Sequence, residues 1–507
     1  MRYFVALVAA SAFLLQGGIA PAQVGQFPFV LTREEQMLGL VEGGVASFKG
    51  IPYAAPPIGA LRWRAPQPPP ESSEIRSAYE YGPACLQPSM PGPGASRMSE
   101  DCLTLNVYRP FDTEGPLPVM IWIHGGSFVT GTASDPLFDG SKLAQAGVVV
   151  VTLNYRLGAF GWLAHPALAE DSANSPLANY GMMDQIAALR WVHDNIRAFG
   201  GDPNNVTLFG TSSGATSIAL LMLCAQSRDL FQKAILESVP ARERVRAMEV
   251  AEADGKQLLR AAGHDRNGPD PRTIDAEVVL AAEKILLAKS SAKSFPSFGP
   301  AADGILVKED IAAGFGAGRE SRIPLIVGSN DDETAFDSEP DLKEELGLAG
   351  ASIDELRGFY PEAARNPAEL AARLYTDRVF TEPARFVARS HAATGVPTFR
   401  YRFSYVPEAQ RQGSDGGRGG ELQFIFGAEG VPGAAMFIHR DREISNILRT
   451  YWTNFAKTGD PNGPGLPPWE TSTNLEQLLL ISNAGISSGR DPWSERLDGL
   501  ERRSARR

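Results

Sequence analysis

The stretch that decides the fold is Val206-Thr-Leu-Phe-Gly-Thr-Ser-Ser-Gly-Ala-Thr216. Its apolar first part, Val206 to Phe209, predicts a short buried strand, and the run Ala219-Leu-Leu-Met-Leu223 predicts a helix. Between them, Gly210-Thr-Ser-Ser-Gly214 places Ser212 in a tight turn, where a Cβ on either glycine would collide with neighbouring backbone. A strand, a sharp turn and a helix in this order form a nucleophile elbow. The pattern therefore predicts that Ser212 is a nucleophile.

Strands and helices alternate along the chain around this turn. Three other runs are continuously apolar, as expected of strands buried on both faces of a sheet. These runs are Val119–Ile123, Val148–Leu153 and Ile323–Gly328. Residues 184–199 carry apolar side chains on one helical face. The predicted fold class is therefore α/β: a large, mostly parallel central sheet with helices on both faces and helical insertions, one of them at residues 240–295.

Two segments rich in proline follow the N-terminal region. They are Phe48–Pro57 and Leu61–Pro70. Proline lacks the N–H that a strand or helix interior needs, so we expect these residues to form a surface segment outside the central sheet.

The two ends of the chain differ in character from the rest. Residues 1–22 combine a charge at Arg2, an apolar run and the small residues Ala20-Pro-Ala22, which together predict a signal peptide. No other apolar run is long enough to cross a bilayer. We expect one domain over residues 23–500, a disordered basic tail over residues 501–507, and a secreted or periplasmic protein. A net charge of −11 argues against nucleic acid as a partner.

The chain has three cysteines. Cys85 and Cys102 are close enough in sequence to close a short loop, which in an oxidising compartment could stabilise the fold by about 3 kcal/mol. The alternative is two unpaired thiols. Cys224 lies in the apolar helix after the elbow and is expected to be an inert buried thiol.

Two loops that follow apolar strands are candidates for the catalytic machinery. His124-Gly-Gly-Ser-Phe128 follows one strand, and its backbone N–H groups could converge on an oxyanion; the alternative is a glycine loop with no catalytic task. Ser329-Asn-Asp-Asp-Glu-Thr334 follows another strand at its carboxyl end, where open α/β sheets place their sites. The sequence contains neither an H-E-x-x-H motif nor a phosphate-binding Walker loop, so no metal and no cofactor are predicted.

Taken together, the motifs resemble those of the type-B carboxylesterases, a family of α/β-hydrolases that includes bacterial para-nitrobenzyl esterases and the cholinesterases. The matching stretches span nearly the whole chain beyond the signal peptide. They are residues 48–57, 99–107, 124–128, 154–158, 179–181, 199–204, 210–214 and 451–462.

The resemblance implies a role for several residues. It makes Ser212 the nucleophile and Glu333 the acid of a catalytic triad, with Ser238 supporting the acid. Oxyanion donors are implied at the backbone of Gly125, Gly126 or Ser127, together with that of Ser213. It also implies the Cys85–Cys102 disulfide and an ion pair between Arg62 and Glu100, for which the alternative is two solvated charges.

The sequence departs from the family pattern at two positions. Thr211 stands where the family usually has a Glu beside the nucleophile. More important, the family's catalytic histidine lies three residues before the Glu of a Glu-Leu-x-Phe-Val-Phe-Gly motif, and here that Glu is Glu421 and the position is Arg418. A guanidinium group stays protonated and accepts no hydrogen bond, so Arg418 is not a competent general base. His439 is a candidate substitute, although a helix-surface residue is its more ordinary role.

Two main functions therefore compete, and a peptidase or a lipase of another type is a third alternative. The first is a secreted serine esterase that hydrolyses small carboxylic esters through an acyl-enzyme on Ser212, with activity impaired by Arg418. The second is a non-catalytic binding member of the same family. The sequence gives neither the acyl and alcohol preference nor the oligomeric state.

Overall fold

The computed structural model describes residues 27–89, 97–168, 178–264, 269–289, 298–334, 340–361, 366–410, 420–432, 434–472 and 477–504. The predicted signal peptide, residues 1–22, and Arg418 lie outside these ranges. In the described residues, no helix is long and apolar enough to cross a membrane.

The described strands are numbered in chain order. They are β1 (Phe29–Leu31), β2 (Gln36–Leu38), β3 (Leu40–Glu42), β4 (Val45–Pro52), β5 (Ile75–Ser77), β6 (Ala84–Cys85), β7 (Met98–Ser99), β8 (Thr104–Pro110), β9 (Leu117–Ile123), β10 (Val149–Leu153), β11 (Gly201–Thr211), β12 (Lys233–Glu237), β13 (Arg246–Ala247), β14 (Ala301–Ala302), β15 (Leu325–Asn330), β16 (Thr398–Phe403), β17 (Gln477–Ser482) and β18 (Gly485–Arg490).

The described α-helices are numbered in the same way. They are α1 (Ser141–Ala144), α2 (Gly158–Trp162), α3 (Tyr180–Asn195), α4 (Ser213–Leu223), α5 (Met248–Ala261), α6 (Ala276–Lys289), α7 (Ile311–Gly316), α8 (Leu342–Ala349), α9 (Ile353–Leu356), α10 (Pro367–Thr376), α11 (Glu382–Ala392), α12 (Leu422–Ile425), α13 (His439–Thr458) and α14 (Ser494–Ser504). A π-helical turn, Asp377–Thr381, joins α10 to α11. Short 3₁₀ turns occur at Gly59–Leu61, Pro136–Phe138, Pro166–Leu168, Ile196–Phe199, Ala225–Ser227, Pro271–Thr273 and Glu408–Gln410.

An eleven-stranded sheet forms the centre of the molecule, in the order β18-β17-β16-β15-β12-β11-β9-β10-β8-β4-β3. Every neighbouring pair from β17 to β10 is parallel, and the strands outside them pair antiparallel. The predicted α/β class with a mostly parallel sheet is therefore confirmed. Carboxyl ends of parallel strands meet at one edge, so β9, β11, β12 and β15 bring their following loops together at the middle of this edge.

Both faces of the sheet are buried because the central strands carry apolar side chains on both faces. In β9, Ile121 and Ile123 belong to the core under one face, whereas Met120 and Trp122 belong to the core under the other. Alternation of side chains along a strand produces this division. Helices α3 and α4 contribute to the first core, and α13 contributes to the second. The two hydrophobic layers hold the central strands, and with them the site, in fixed register.

Two sequence expectations about the periphery are wrong. Val45–Pro52 is a strand of the large sheet, paired with β3 and β8, although the proline pattern predicted a surface segment. Pro52 is tolerated because it is the last residue of its strand, beyond a register shift between Phe48 and Ile51. The predicted disordered tail is also wrong for residues 501–504, which belong to α14, where Glu501 forms an ion pair with Arg389.

Two tertiary links expected from the sequence are present. Cys85 and Cys102 form a disulfide, and Cys224 is free and buried. Arg62 binds Glu100 through two hydrogen bonds of 2.6 Å each, and both side chains are largely buried. A two-point pairing of guanidinium with carboxylate offsets part of the cost of burying the two charges.

Candidate active site

Ser212 lies at the junction of β11 and α4 in a backbone conformation that non-glycine residues rarely adopt. Its φ is 53° and its ψ is −120°. The turn is held on both sides: the Ser212 N–H donates to the carbonyl of Glu237 at 2.9 Å, and the Ser212 carbonyl accepts from the Thr216 N–H at 2.8 Å. Such backbone strain costs about 1–3 kcal/mol and occurs mainly at functional sites. The geometry is that of a nucleophile elbow.

The flanking glycines are required by close contact with the neighbouring strand. A Cβ on Gly214 would lie 2.1 Å from the carbonyl oxygen of Ile123, and one on Gly210 would lie 2.5 Å from the same oxygen. These separations are far below van der Waals contact. The structure therefore confirms the predicted steric reason for glycine on both sides of Ser212. A side chain at either position would collide with the carbonyl oxygen of Ile123.

The loop after β9 packs directly against the elbow. A Cβ on Gly125 would lie 3.4 Å from the Cβ of Ser212, which places the two backbones in near contact. Gly126, Ser127 and Phe128 all have positive φ, at 109°, 54° and 62°, so the chain turns sharply here. This turn is stabilised because the Gly126 carbonyl accepts hydrogen bonds from two N–H groups further along the loop.

Four backbone N–H groups near Ser212 are free to bind an oxyanion. Within the described part of the chain, those of Gly125, Gly126 and Ser127 donate to no acceptor. The N–H of Ser213 is the first of α4, where no intrahelical acceptor exists. Unpaired N–H groups at a helix N-terminus and a glycine turn are the donors that stabilise a developing negative charge. The oxyanion roles predicted for these four residues remain predictions, which the geometry favours.

Glu333 lies in the loop after β15, two strands from Ser212 in the sheet. Its Oε1 accepts hydrogen bonds from the Ser238 hydroxyl at 2.6 Å and from the Asn330 N–H at 2.7 Å. Its own N–H donates to Thr376 Oγ1 at 3.1 Å. Ser238 therefore contacts the carboxylate that it was expected to support, and it follows β12, the strand between those of Ser212 and Glu333.

The carboxyl group of Glu333 is unusually basic. Burial, together with the neighbouring carboxyl of Glu421, raises its pKa to about 7, although the hydrogen bonds from Ser238 and Asn330 act in the opposite direction. Burial disfavours the charged form of a carboxyl group, and a second negative charge nearby does the same. Glu333 therefore changes its protonation state close to neutral pH.

All six histidines of the chain lie in described residues, and three of them bear on the search for a base. His124 is buried, stacks on Tyr155 and contacts the Gly125 carbonyl through Nδ1, and burial lowers its pKa to about 4. His391 is held between Glu320 and the Ile323 carbonyl. His439 begins α13 with its side chain 88% exposed beside Glu443. The exposed position of His439 agrees with a helix-surface role.

Two buried carboxyl groups beside the site were not assigned a role from the sequence. Glu237 is the last residue of β12, and Glu421 immediately precedes α12; both are almost completely buried. Trp452 Nε1 donates to Glu237 at 2.8 Å, and the Tyr401 hydroxyl donates to Glu421 at 2.9 Å. The signal that could have found Glu237 is a glutamate that directly follows the apolar run Ala234-Ile-Leu236 of a predicted buried strand.

Comparison with known families shows to which family the chain belongs. The model of the carboxylesterase family matches residues 28–360 and 353–491. This chain belongs to that family. The α/β-hydrolase architecture inferred from the elbow and the sheet is thereby confirmed.

Relatives in the carboxylesterase family include proteins named as esterases. The chain is 37% identical over 493 residues to para-nitrobenzyl esterase of Bacillus subtilis, covering 93% of this chain and 98% of the relative. It is 36% identical over 471 residues to fumonisin B1 esterase of Sphingopyxis macrogoltabida, covering 89% and 86%. A solved structure of a PNB esterase superposes with a TM-score of 0.80 at 35% identity, covering 93% of this chain and 99% of that one.

Among the described residues, no group of three His, Cys, Asp or Glu side chains is placed to hold a metal ion.

Proposed function

We propose that this protein is a secreted serine hydrolase that hydrolyses small carboxylic esters through an acyl-enzyme on Ser212. The observation that carries the proposal is the strained Ser212 turn in contact with the loop whose N–H groups are unpaired. A strained serine and convergent N–H donors are the two parts that acyl transfer requires. Membership of a family with esterase relatives favours carboxylic esters as the substrate class.

The geometry supports the following roles. The Ser212 hydroxyl attacks the ester carbonyl, and the carbonyl oxygen becomes an oxyanion bound by the N–H groups of Gly125, Gly126, Ser127 and Ser213. Each such donor typically contributes about 10²–10³-fold to the rate. Collapse of the tetrahedral intermediate breaks the carbon–alcohol bond, and the alcohol leaves with the proton that the Ser212 hydroxyl gave up. Water then hydrolyses the acyl ester, which releases the carboxylic acid and restores the Ser212 hydroxyl.

Arg418 makes this site unlike a standard serine triad. A guanidinium cannot take the proton of the serine hydroxyl. Sites that lack one triad member retain about 10³–10⁴-fold catalysis over water, through the oxyanion hole and substrate binding. We therefore expect turnover that depends on Ser212 but is impaired relative to an enzyme with an imidazole base.

The test is the hydrolysis of p-nitrophenyl acetate by the wild type, Ser212→Ala and a matched control, Ser227→Ala. Ser227 is a buried serine beyond the far end of α4, hydrogen-bonded to the Leu221 carbonyl. We expect Ser212→Ala to lose the acyl-enzyme route and to fall to the residual rate that the oxyanion hole and substrate binding sustain, and Ser227→Ala to keep the wild-type rate. A fluorophosphonate probe should label the wild type and Ser227→Ala but not Ser212→Ala.

A second candidate function is a binding module built on the esterase scaffold, favoured by the presence of Arg418 at the family's histidine position. The variant Arg418→His separates the two. If the wild type hydrolyses no ester above the Ser212→Ala level, and Arg418→His raises the rate by the roughly 10²–10⁴-fold that a general base contributes, the site is disabled in this chain. That result contradicts the enzymatic proposal.

The proposed location is the periplasm or the exterior of the cell. The support is the signal-like composition of residues 1–22 and the Cys85–Cys102 disulfide, which persists in oxidising compartments. N-terminal sequencing of the protein from the extracellular or periplasmic fraction should begin at Gln23. A chain that begins at residue 1 or 2 and is confined to the cytosol contradicts this proposal.

A further inference from the structure

Tyr155 lies beside the loop whose N–H groups are proposed to bind the oxyanion. It comes two residues after the end of β10, and its side chain is completely buried. Its hydroxyl donates to the His124 carbonyl at 2.9 Å. Its ring stacks on the imidazole of His124, with the ring centroids 4.5 Å apart and the planes 19° from parallel. One side chain thus contacts both the backbone and the ring of the residue that precedes the glycine turn.

The carbonyl that Tyr155 binds belongs to the same peptide unit as the Gly125 N–H. A trans peptide is planar, and its C=O and N–H bonds point in opposite directions. A donor that holds the carbonyl on one side therefore fixes the direction of the N–H on the other. Gly125 is in near contact with Ser212, and its N–H donates to no acceptor in the described part of the chain. The Tyr155 hydroxyl therefore orients an unpaired donor beside the nucleophile.

The imidazole of His124 holds the next peptide unit in a similar way. Its Nδ1 lies 2.8 Å from the Gly125 carbonyl oxygen, which only accepts hydrogen bonds, so the ring carries a hydrogen on Nδ1. Burial lowers the pKa of His124 to about 4, so the ring is neutral at pH 7 and Nε2 carries no hydrogen. The Gly125 carbonyl shares its peptide unit with the Gly126 N–H, another unpaired donor of the loop.

The imidazole is fixed by contacts in two places. Its face meets the ring of Tyr155, and its edge meets the backbone of Gly131, where a Cβ would lie 2.3 Å from Nδ1. Gly131 is held in turn by the side-chain amide of Gln87, which accepts from the Gly131 N–H and donates to the Gly131 carbonyl, each at 3.0 Å. The ring orientation that the Gly125 carbonyl requires is therefore set by packing.

We propose that Tyr155 is a positioning residue for the oxyanion donors. Its hydroxyl orients the Gly125 N–H, and its ring holds the His124 imidazole, which orients the Gly126 N–H. The inference rests on the proposed esterase function. Donors that are already oriented stabilise a developing oxyanion without reorganising during the reaction. A hydrogen bond to the carbonyl of a peptide unit also polarises the N–H of that unit and strengthens it as a donor.

The experiment compares kcat and KM for p-nitrophenyl acetate in the wild type and Tyr155→Phe, which keeps the stacked ring and removes the hydroxyl. We expect kcat to fall about 10-fold with KM unchanged, less than the roughly 10²–10³-fold that is lost when an oxyanion donor is removed outright. The matched control is Tyr451→Phe. The buried Tyr451 belongs to the core under the other face of the sheet, and its hydroxyl donates to the Pro467 carbonyl at 2.6 Å. This control should keep the wild-type kcat.

Inhibition by a trifluoromethyl ketone separates positioning from a loss of folded protein. Its adduct with Ser212 carries a negative oxygen where the tetrahedral intermediate does, so its affinity reports on the oxyanion donors. The affinity should fall in Tyr155→Phe by the same factor as kcat. Partial unfolding lowers kcat but leaves the affinity of the remaining folded sites unchanged.

A second pair of variants keeps the test decisive if Tyr155→Phe does not fold. Asn and Leu side chains have nearly the same shape, but only Asn can donate from the position that Nδ1 of His124 occupies. Because this donor orients the Gly126 N–H, we expect kcat of His124→Asn to exceed that of His124→Leu by about 10-fold.

The outcomes separate this inference from the proposed function. Ser212-dependent turnover with the same kcat and the same inhibitor affinity in the wild type and Tyr155→Phe overturns the inference and leaves the esterase function standing. Equal kcat in His124→Asn and His124→Leu does the same. A fall in Tyr451→Phe as large as that in Tyr155→Phe also overturns it, because the loss then follows from removing any buried hydroxyl. Absence of Ser212-dependent turnover in the wild type refutes the esterase function and, with it, the inference.

Discussion

The backbone strain at Ser212 predicts that the variant with glycine at this position is more stable than the variant with alanine. Both Ser212→Gly and Ser212→Ala remove the hydroxyl, but only glycine adopts a φ of 53° and a ψ of −120° without a Cβ penalty. Glycine at position 212 removes this backbone strain, which usually costs about 1–3 kcal/mol. Glycine loses about 0.5–1 kcal/mol of this through its greater freedom in the unfolded chain. Ser212→Gly should therefore be more stable than Ser212→Ala by about 0.5–2 kcal/mol.

The measurement is thermal unfolding of the two variants at one scan rate. An unfolding entropy of about 2.1 cal/mol/K per residue gives about 1 kcal/mol/K for about 480 residues, so the expected difference in Tm is about 0.5–2 °C. The matched control is Ser217, within the same helix α4, where Ser217→Gly should be less stable than Ser217→Ala by about 1 kcal/mol. If Ser212→Gly melts at or below the temperature of Ser212→Ala while the control pair behaves as expected, the Ser212 backbone is not strained and the argument fails.

Two further predictions concern the oxyanion loop and the disulfide. A Cβ on Gly126 would lie 2.1 Å from the carbonyl oxygen of Thr130, so Gly126→Ala should displace the loop and lower kcat for p-nitrophenyl acetate by about 10²–10³-fold; an unchanged kcat would show that this loop does not bind the oxyanion. Cys85 and Cys102 are 17 positions apart, and closing such a loop stabilises a protein by about 3 kcal/mol. The double variant Cys85→Ser/Cys102→Ser should unfold at a correspondingly lower denaturant concentration, and an unchanged midpoint would contradict the estimate.

Short-range sequence patterns predicted the strand, turn and helix around Ser212 correctly. The run Val206–Thr216 contains its own strand, turn and helix signals, and the glycines on both sides of Ser212 lie against the Ile123 carbonyl as steric reasoning required. The parallel sheet was predictable because apolar strands alternate with amphipathic helices, which is a property of local sequence. The disulfide pairing followed from a short loop and from the family resemblance.

Predictions that relied on a single residue type were less successful. Proline was expected to keep residues 48–52 out of the sheet, but their position is decided by pairing with β8 and by the burial of Phe48 and Ile51. The basic residues 502–503 suggested a frayed end, whereas α14 extends through them because Glu501 binds arginines of other segments. In both cases tertiary contacts outweighed local propensity.

The sequence by itself determined the family, the sharp turn at Ser212 and the absence of histidine between residues 391 and 439. Only the tertiary structure showed that Glu237 and Glu421, which lie on separate segments, are both almost completely buried, and that the charge of Glu421 acts on Glu333. The physical reason is that a turn is encoded by neighbouring residues, whereas the basicity of a carboxyl group depends on burial and on charges brought near it by folding.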